Sequence, residues 1–431
     1  MEKIVSLCKR RGFVYPGSEI YGGLANTWDY GPLGVELKNN LKKHWWKTFV
    51  QSRDDIFGLD GGILMNPKIW ESSGHVKSFI DTLVECKSCH KRFRVDFLEG
   101  KKACPECGGK FTEPKKFVPM FKTFIGPAED SSAIAYLRPE TAQAIFVNFK
   151  NIIDSFHPKI PFGIAQIGKA FRNEITLGNF IFRSLEFELM EIEYFIHEKD
   201  WKKYFGEWQK LMENWIVSLG VRKENLRWRS HGKDELSHYS KRTEDLEYNF
   251  PFGGFKELYG LAYRTDFDLK NHSKFSGQDL NYQDLETGKN FFPHVVEPAM
   301  GVERSLLPIL LDAYREEKDK GSVRVILSLN PKIAPYKVAV FPLLANKAEL
   351  VKKAKEIYES LKLNFNVVWD DRGNIGKRYY AQDEIGTPWC VTVDFKTLED
   401  KTVTIRDRDT MKQERLGVDK LQDFFQTRLD K

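Results

Sequence analysis

Arg172, Glu174, Arg183, Phe187, Glu191 and Glu193 fall within one short stretch of the chain, with Gly and Ala between several of them. The stretch from Ile164 to Ile196 reads as two β-strands. Side chains alternate between faces along a strand, so Gln166, Gly168, Ala170, Arg172 and Glu174 share one face of the first. Leu177-Gly178-Asn179 turns the chain. The return strand, Phe180 to Ile196, puts Arg183, Phe187, Glu191 and Glu193 on one face by the same count. Small residues leave a hollow, and two guanidiniums, a flat ring and several carboxylates surround it. Guanidinium suits phosphate, the ring suits a base, and carboxylate suits an amine. A surface hairpin with solvated charges is the plain alternative. The alternation with Gly and Ala, rather than with large core residues, disfavours it.

Two further stretches carry the same pattern. Lys256 to His272 reads as a strand whose even face holds Gly260, Ala262, Arg264, Asp266 and Asp268. His294 to Arg304 runs a strand into a helix, with Pro298 and Gly301 making the break. Arg304 then stands in the helix's first turn, where free amides and the helix dipole favour phosphate. Cys86-x-x-Cys89 and Cys104-x-x-Cys107 lie fourteen residues apart. Paired knuckles at that spacing set four thiolates at the corners of a tetrahedron, which suits a closed, structural Zn²⁺ site. Pro105 and Gly108-Gly109 fit the tight turn. Cys8 and Cys390 are isolated and read as packed thiols.

Phe171-Arg172-Asn173-Glu174, a loop and Arg183-x-x-x-Phe187 resemble the second signature motif of class II aminoacyl-tRNA synthetases. His294 to Arg304 resembles the third. Met190-Glu191-Ile192-Glu193-Tyr194-Phe195 narrows the resemblance to the homodimeric glycyl-tRNA synthetases, and it spans nearly the whole chain. It implies ATP-dependent attachment of glycine to tRNA(Gly) through an adenylate, with ATP, Mg²⁺ and structural Zn²⁺ as cofactors. It assigns Arg172, Glu174 and Arg304 to catalysis. ATP contacts are expected from Arg172, Asn173, Glu174, Phe182, Arg183, Phe187, Glu257, Leu258, Gly301 and Arg304. The amino-acid site is expected to use Arg94, Glu140, Phe187, Glu191, Glu297, Ala299 and Gly301. Glu297 binds either Mg²⁺ or the substrate amine on this reading. Cys86, Cys89, Cys104 and Cys107 hold the metal. Two alternatives stand beside it: a class II enzyme for another small amino acid, and a non-catalytic tRNA-binding relative.

The chain also departs from the family pattern. Leu177-Gly178 replaces Pro-Arg or Pro-Gly, Leu185 an Arg, Ala299 a Ser, Glu303 an Asp, and Val118-Pro119 an Asn-Leu pair. Asn26 and Ala144 stand where Gly is frequent. These departures weaken the expected phosphate and amine contacts.

Positioning such a site takes a scaffold. Val35 to Val50 reads as an amphipathic helix with Leu37, Leu41, Trp45 and Phe49 four apart. An extended stretch from Gly58 to Met65 follows. That order resembles the first class II motif, which forms the dimer interface in the family; an ordinary core helix fits equally by spacing. Ile69 to His75 also fits the family. Arg138-Pro139-Glu140 suits a strand-to-helix switch with Glu140 in the first turn. Trp201, Trp208 and Trp215, seven apart in a helical stretch from Glu198 to Gly220, read as core packing. Pro331 to Pro335 reads as a linker. Beyond it, strands alternate with helices in a small α/β domain that resembles an anticodon-binding domain.

The expected fold is therefore α+β. An antiparallel-sheet catalytic domain spans 1–330, with a zinc-ribbon-like insertion at about 84–112 and a helical insertion at about 198–250. An α/β anticodon-binding domain spans 335–431. At 431 residues, 41% hydrophobic and 30% charged, the chain has room for such cores. Its net charge of +6 permits nucleic-acid contact without requiring it. No apolar run reaches membrane-spanning length, and the first residues lack signal or transit character, so no membrane partner and a cytoplasmic location are expected.

Overall fold

The computed structural model describes residues 1–430 except 79, 99, 128, 175–177, 285 and 320. A seven-stranded sheet organises the first domain. In chain order its strands are β1 (Ile56–Gly58), β2 (Phe162–Phe171), β3 (Glu186–Ile196), β4 (Leu226–Ser230), β5 (Arg242–Phe250), β6 (Gly254–Thr265) and β7 (His294–Gly301). They lie side by side as β4-β5-β6-β7-β3-β2-β1. Every neighbouring pair is antiparallel except β1 with β2.

The period of two decides which face is wet. Met190, Ile192 and Tyr194 on β3, Tyr259, Leu261 and Tyr263 on β6, and Val296 and Met300 on β7 are buried together on one side. Against them pack two helices, α1 (Pro32–Trp46) and α2 (Trp201–Ser218). Leu37, Leu41, Trp45 and Phe49 form the buried stripe of the first and of the π-helical turn that extends it to Gln51. Trp208 and Trp215 lie 5.8 and 5.9 Å from Phe49, so the seven-residue tryptophan spacing is core packing, as expected. Trp201 instead stacks flat on Tyr263 at 4.5 Å.

Several expected boundaries move. The first strand of the hairpin ends at Phe171, and Arg172 to Glu174 follow it as irregular chain. Phe180–Phe182 is a single 3₁₀ turn, so the return strand begins at Glu186. Leu177 lies outside the described residues. The strand expected over Lys256 to His272 stops at Thr265, and Phe267–Ser276 is a helix. Only β1 and an isolated bridge between Leu64 and Leu137 represent the extended stretch expected from Gly58 to Met65. The insertion expected to be helical over 198–250 is helical to Ser218 and then adds β4 and β5 to the sheet. Arg242–Phe250 lies between β4 and β6 and is buried from Glu244 to Tyr248. Pro298 sits inside β7, opposite Leu261, and the break falls at Gly301 alone.

Asp81–Glu85, Arg92–Arg94 and Lys115–Phe117 make a separate three-stranded sheet that carries the cysteine knuckles. The C-terminal domain is a five-stranded sheet around Val338–Pro342, flanked by parallel Val367–Trp369 and Trp389–Val393 and then by antiparallel Thr402–Asp407 and Gln413–Gly417. Its core is its own. At the linker, Lys337 Nζ donates to the carbonyls of Pro331, Lys332 and Ala334 at 2.8–2.9 Å.

Candidate active site

The opposite face of the sheet is the floor of a cleft. Register aligns a row across four strands: Asp245 on β5, Gly260 on β6, Ala299 on β7 and Glu191 on β3. A parallel row brings Thr243, Ala262 and Glu297 together. The pairs Glu191–Ala299 and Tyr194–Val296 place Glu193 opposite Glu297. Carboxylates therefore stand at both ends of a floor made of Gly and Ala, separated by roughly 14 Å at ~4.8 Å per strand. Small side chains give a flat ligand room to lie across the strands.

One end is a buried acidic pocket. Ligand-type oxygens of Glu191, Glu193 and Glu297 lie within 4.8 Å of one another. Glu140 joins them, although it stands one residue before the helix N-cap Thr141 rather than inside the first turn as expected. Arg264, fully buried, donates to Asp268 at 2.8 Å and to both oxygens of Glu297 at 3.0 and 3.1 Å. Its guanidinium lies 4.0 Å from Glu140 and under the ring of Tyr239 at 3.7 Å. Thr141 donates to Glu191 through its amide, at 3.1 Å, and its hydroxyl. Burial, then the charge of Glu140, raises the Glu191 carboxyl. Burial, only partly countered by Arg264, holds Glu297 well above the carboxylate range. Burial and the charge of Glu297 do the same to Glu193. Glu140 goes the other way: burial opposes ionisation, but His75 and Arg264 outweigh it. The pocket carries more acid than base, and an ammonium group completes it.

The rest of the cleft is cationic. Arg172, Arg183 and Arg304 line it with Glu174, Phe182, Phe187 and Glu257. Arg172 lies over the Phe187 ring at 5.5 Å and donates from Nε to Pro139 O at 3.0 Å. Arg183 pairs with Glu174 at 3.2 Å. Arg304, in the first turn of the helix Val302–Ala313, lies over Phe182 at 5.1 Å. Leu258, Gly301 and Ala299 also line the cleft. Asn173 and Arg94 do not; Asn173 donates its amide to Pro119 O and Arg94 pairs with Asp81 at 3.2 Å.

Sequence reasoning missed His231, Ser237, Tyr239, Thr243 and Asp245, all of which line the cleft. Thr243 and Asp245 were legible as the odd face of a strand in Arg242–Phe250; the loop residues carried no such signal. His231 Nε2 meets Asp245 at 2.7 Å. Burial and the charge of Glu257 push Asp245 up to about 6 against that partner. The hollow left by Gly168 is also filled. A Cβ there would meet the Arg138 guanidinium at 2.2 Å, and Arg138 donates to Lys169 O and Gly61 O at 2.7 Å.

In the insertion, Sγ of Cys86 is 3.5 Å from Cys107, and Sγ of Cys89 is 3.7 Å from Cys104. Four sulfurs ~2.3 Å from a tetrahedral centre stand about 3.8 Å apart, so the donor set fits Zn²⁺. The amides of Cys89 and Ser88 lower the Cys86 thiol to about 6, favouring the thiolate a metal needs.

Comparison with known proteins fits this geometry. A glycine–tRNA ligase from Thermobifida fusca (strain YX) is 53% identical over 456 residues, covering 100% of this chain and 98% of the relative. Glycine–tRNA ligases from Caldanaerobacter subterraneus subsp. tengcongensis and Borrelia garinii subsp. bavariensis are each 52% identical, covering 100% of this chain and 98% and 97% of theirs. The chain belongs to the glycine–tRNA ligase family. The family model described as the tRNA synthetase class II core domain (G, H, P, S and T) matches residues 125–314, and the anticodon binding domain matches 337–428. The fold is thus a class II catalytic domain followed by an anticodon-binding domain. The two alternatives to a glycine enzyme lose their footing.

Several departures from the family pattern have local accounts. Asn26 adopts φ 59°, which Gly takes freely and Asn tolerates, and its side chain accepts the Gly178 amide at 3.3 Å. Glu303 accepts from Lys38 at 2.7 Å and from the Glu188 amide at 2.8 Å, tying α1 to β3. Leu185 is held by its backbone, between Asn26 O and the Arg172 amide. Nothing in the structure explains Ala299.

Proposed function

We propose that the chain activates glycine with ATP and transfers it to tRNA(Gly), acting as a cytoplasmic homodimer with structural Zn²⁺ on the four cysteines. The observation that carries this reading is the buried acidic pocket opening directly into an arginine-lined cleft across a floor of Gly and Ala. Glu140, Glu191 and Glu297 would gather around the ammonium, and Glu297, whose two oxygens already accept from the buried Arg264, is given the amine rather than the metal role. The ammonium thereby fixes the carboxylate toward the arginines.

Glycine's carboxylate is ionised at neutral pH, so its attack on the α-phosphorus needs no general base. Arg172 holds the α-phosphate as charge develops, and Arg304 holds the γ-phosphate, so that pyrophosphate leaves in line. Phe187 stacks on adenine. Glu257, a carboxylate facing the cleft beside Arg304, would hold Mg²⁺, which supplies charge neutralisation on the phosphates when bound. A hydroxyl at the tRNA acceptor end then attacks the activated carbonyl and AMP departs. A pocket tight around glycine would reject larger amino acids by size alone. Dimerisation rests on family membership, since the apolar stripe of α1 is already covered by Trp208 and Trp215 of the same chain. Among the described residues no helix is long and apolar enough to cross a membrane.

Amino-acid-dependent ATP–pyrophosphate exchange tests the first step, with glycine, alanine and serine compared, and charging of tRNA(Gly) tests the second. Exchange with glycine alone is expected. Exchange with alanine or serine, or none by the zinc-loaded protein, overturns the reading.

A further inference from the structure

Glu140 stands between a strand and a helix, in no regular element of its own, yet its carboxylate must be fixed to bind an ammonium ion. Two neighbouring serines supply the frame. Ser72 and Ser73 end a short helix and are both buried. Ser73 Oγ lies 2.8 Å from Nδ1 of His75, and Ser72 Oγ lies 3.0 Å from Nδ1 of His272. Both histidines are buried, and both lead to Glu140. Nε2 of His75 is 3.2 Å from Glu140 Oε2. Nε2 of His272 is 2.7 Å from Gln143 Oε1, and Gln143 Nε2 donates to Glu140 Oε1 at 3.0 Å. Each oxygen of Glu140 is thus gripped from behind by its own Ser–His arm.

The arms fix proton positions. An ionised Glu140 only accepts, so the proton between it and His75 sits on Nε2. Nδ1 of His75 meets the Ser73 hydroxyl, which holds the ring with Nε2 turned toward Glu140. Gly74 makes the tight approach possible. It has φ +83°, and a Cβ there would lie 2.9 Å from Nε2 of His238, which pairs with Ser73 O at 3.0 Å. Trp70 closes the site edge-on to the His75 ring at 5.4 Å.

We propose that His75 is a positioning residue for glycine, acting through Glu140, with Ser73 holding its ring in place. The proposal rests on the reading of Glu140 as an ammonium ligand. It predicts a defect confined to the amino acid, because nothing in these arms reaches the nucleotide part of the cleft.

The test is ATP–pyrophosphate exchange by the full-length, zinc-loaded protein, comparing His75→Phe, His75→Gln, Ser73→Ala and Glu140→Gln. His75→Phe is expected to raise KM for glycine about tenfold or more, the scale of one charge-assisted hydrogen bond, with KM for ATP unchanged. His75→Gln keeps an N–H where Nε2 stands and should stay within about threefold of wild type. Ser73→Ala should give a smaller rise in glycine KM, and it decides the question if His75→Phe does not fold. The proposal is overturned if His75→Phe lowers kcat at unchanged glycine KM, if ATP and glycine suffer alike, or if Gln is no better than Phe. Glu140→Gln separates the two layers. Unchanged glycine KM in that variant sinks the ammonium reading itself, whereas a large rise there beside a normal His75→Phe sinks only the inference.

Discussion

Nη1 of Arg304 lies 2.8 Å from Oε1 of Glu257, and both side chains are partly open to the cleft. Burial would raise the Glu257 carboxyl, but Arg304, then Arg172 and Arg183, hold it below its usual range. A phosphate reaching Arg304 therefore meets a carboxylate already there, and must share the guanidinium or have a cation between. Arg304→Ala should reduce exchange by about 10²–10³-fold, the cost of removing one preorganised charge. Arg304→Lys should recover little, because an ammonium has no planar fork for phosphate. Glu257→Gln should leave glycine KM intact and raise the Mg²⁺ concentration giving half-maximal exchange. Titrating Mg²⁺ in the exchange assay checks all three.

Ala299 sits between Gly260 and Glu191 in the row that crosses the floor. Its neighbours offer acids but, at this position, no hydroxyl. Ala299→Ser would add an acceptor beside Glu191 on the ammonium side. One added hydrogen bond is worth about 0.5–1.5 kcal/mol, so glycine KM should fall by roughly two- to tenfold at constant ATP KM. An unchanged or higher KM would show that the hydroxyl cannot reach the amine.

The four cysteines should bind one zinc per chain. Cys104→Ser, or a strong chelator, is expected to loosen the small sheet built on Asp81–Glu85 while leaving the catalytic sheet folded, because the two sheets have separate strands. Hydrogen exchange by segment reads this directly. Uniform loss of protection across β2 and β3 would contradict it.

How much of this was visible in the sequence follows from where each signal lies. Phe187, Glu191 and Glu297 were legible because strand alternation forces them onto one face, and that face is the floor; Arg172 and Arg304 were legible from their motifs, one just past a strand end and the other in a helix's first turn. The cysteines were legible because spacing alone sets their geometry. Arg264 was placed on the right face, but its role was not, since its partners Asp268 and Glu297 come from a helix and a distant strand. His231 and Tyr239 belong to a loop whose path no periodicity records. The hollow over Gly168 looked like ligand space and proved to be the seat of Arg138. Asn173 shows the converse: its motif position suggested ATP, whereas the strand ends before it, its backbone N–H binds Pro119 O, and it does not line the cleft.

The joint between the domains rests on buried charge. Asp383 is fully buried and accepts from Arg324 at 2.8 Å and from Arg406 at 2.8 and 2.9 Å. Arg324 belongs to the hairpin after the last catalytic helix, and Arg406 to the C-terminal sheet. Nearby, Glu384 is held by Arg10 and Arg11 of the N-terminal helix. Asp383→Asn strands two guanidiniums, which typically costs about 3–5 kcal/mol. Thermal melting should show a clear fall in the transition temperature, whereas Glu384→Gln, at a more open site, should cost less. A melting curve for Asp383→Asn that matches wild type would mean that the joint is held by other contacts.

Glu193 poses a separate question, because neither of its buried oxygens meets a hydrogen-bond partner among the described residues. Burial and Glu297 hold its carboxyl well above the ordinary range, so it keeps its proton in the folded chain. In the unfolded chain it ionises near pH ~4.3. Above that pH the folded state binds one proton more than the unfolded state, so this group costs stability as pH rises toward its folded value. Glu193→Gln removes the ionisation and keeps the shape. Wild type and variant should melt together near pH 4, and the variant should melt progressively higher as pH is raised to 8, since every other titration cancels in the difference. A neutral Glu193 contributes no charge to the ammonium site, so the same variant should leave glycine KM nearly unchanged where Glu191→Gln raises it. If Glu193→Gln instead raises glycine KM as much as Glu191→Gln does, then Glu193 is ionised in the working enzyme.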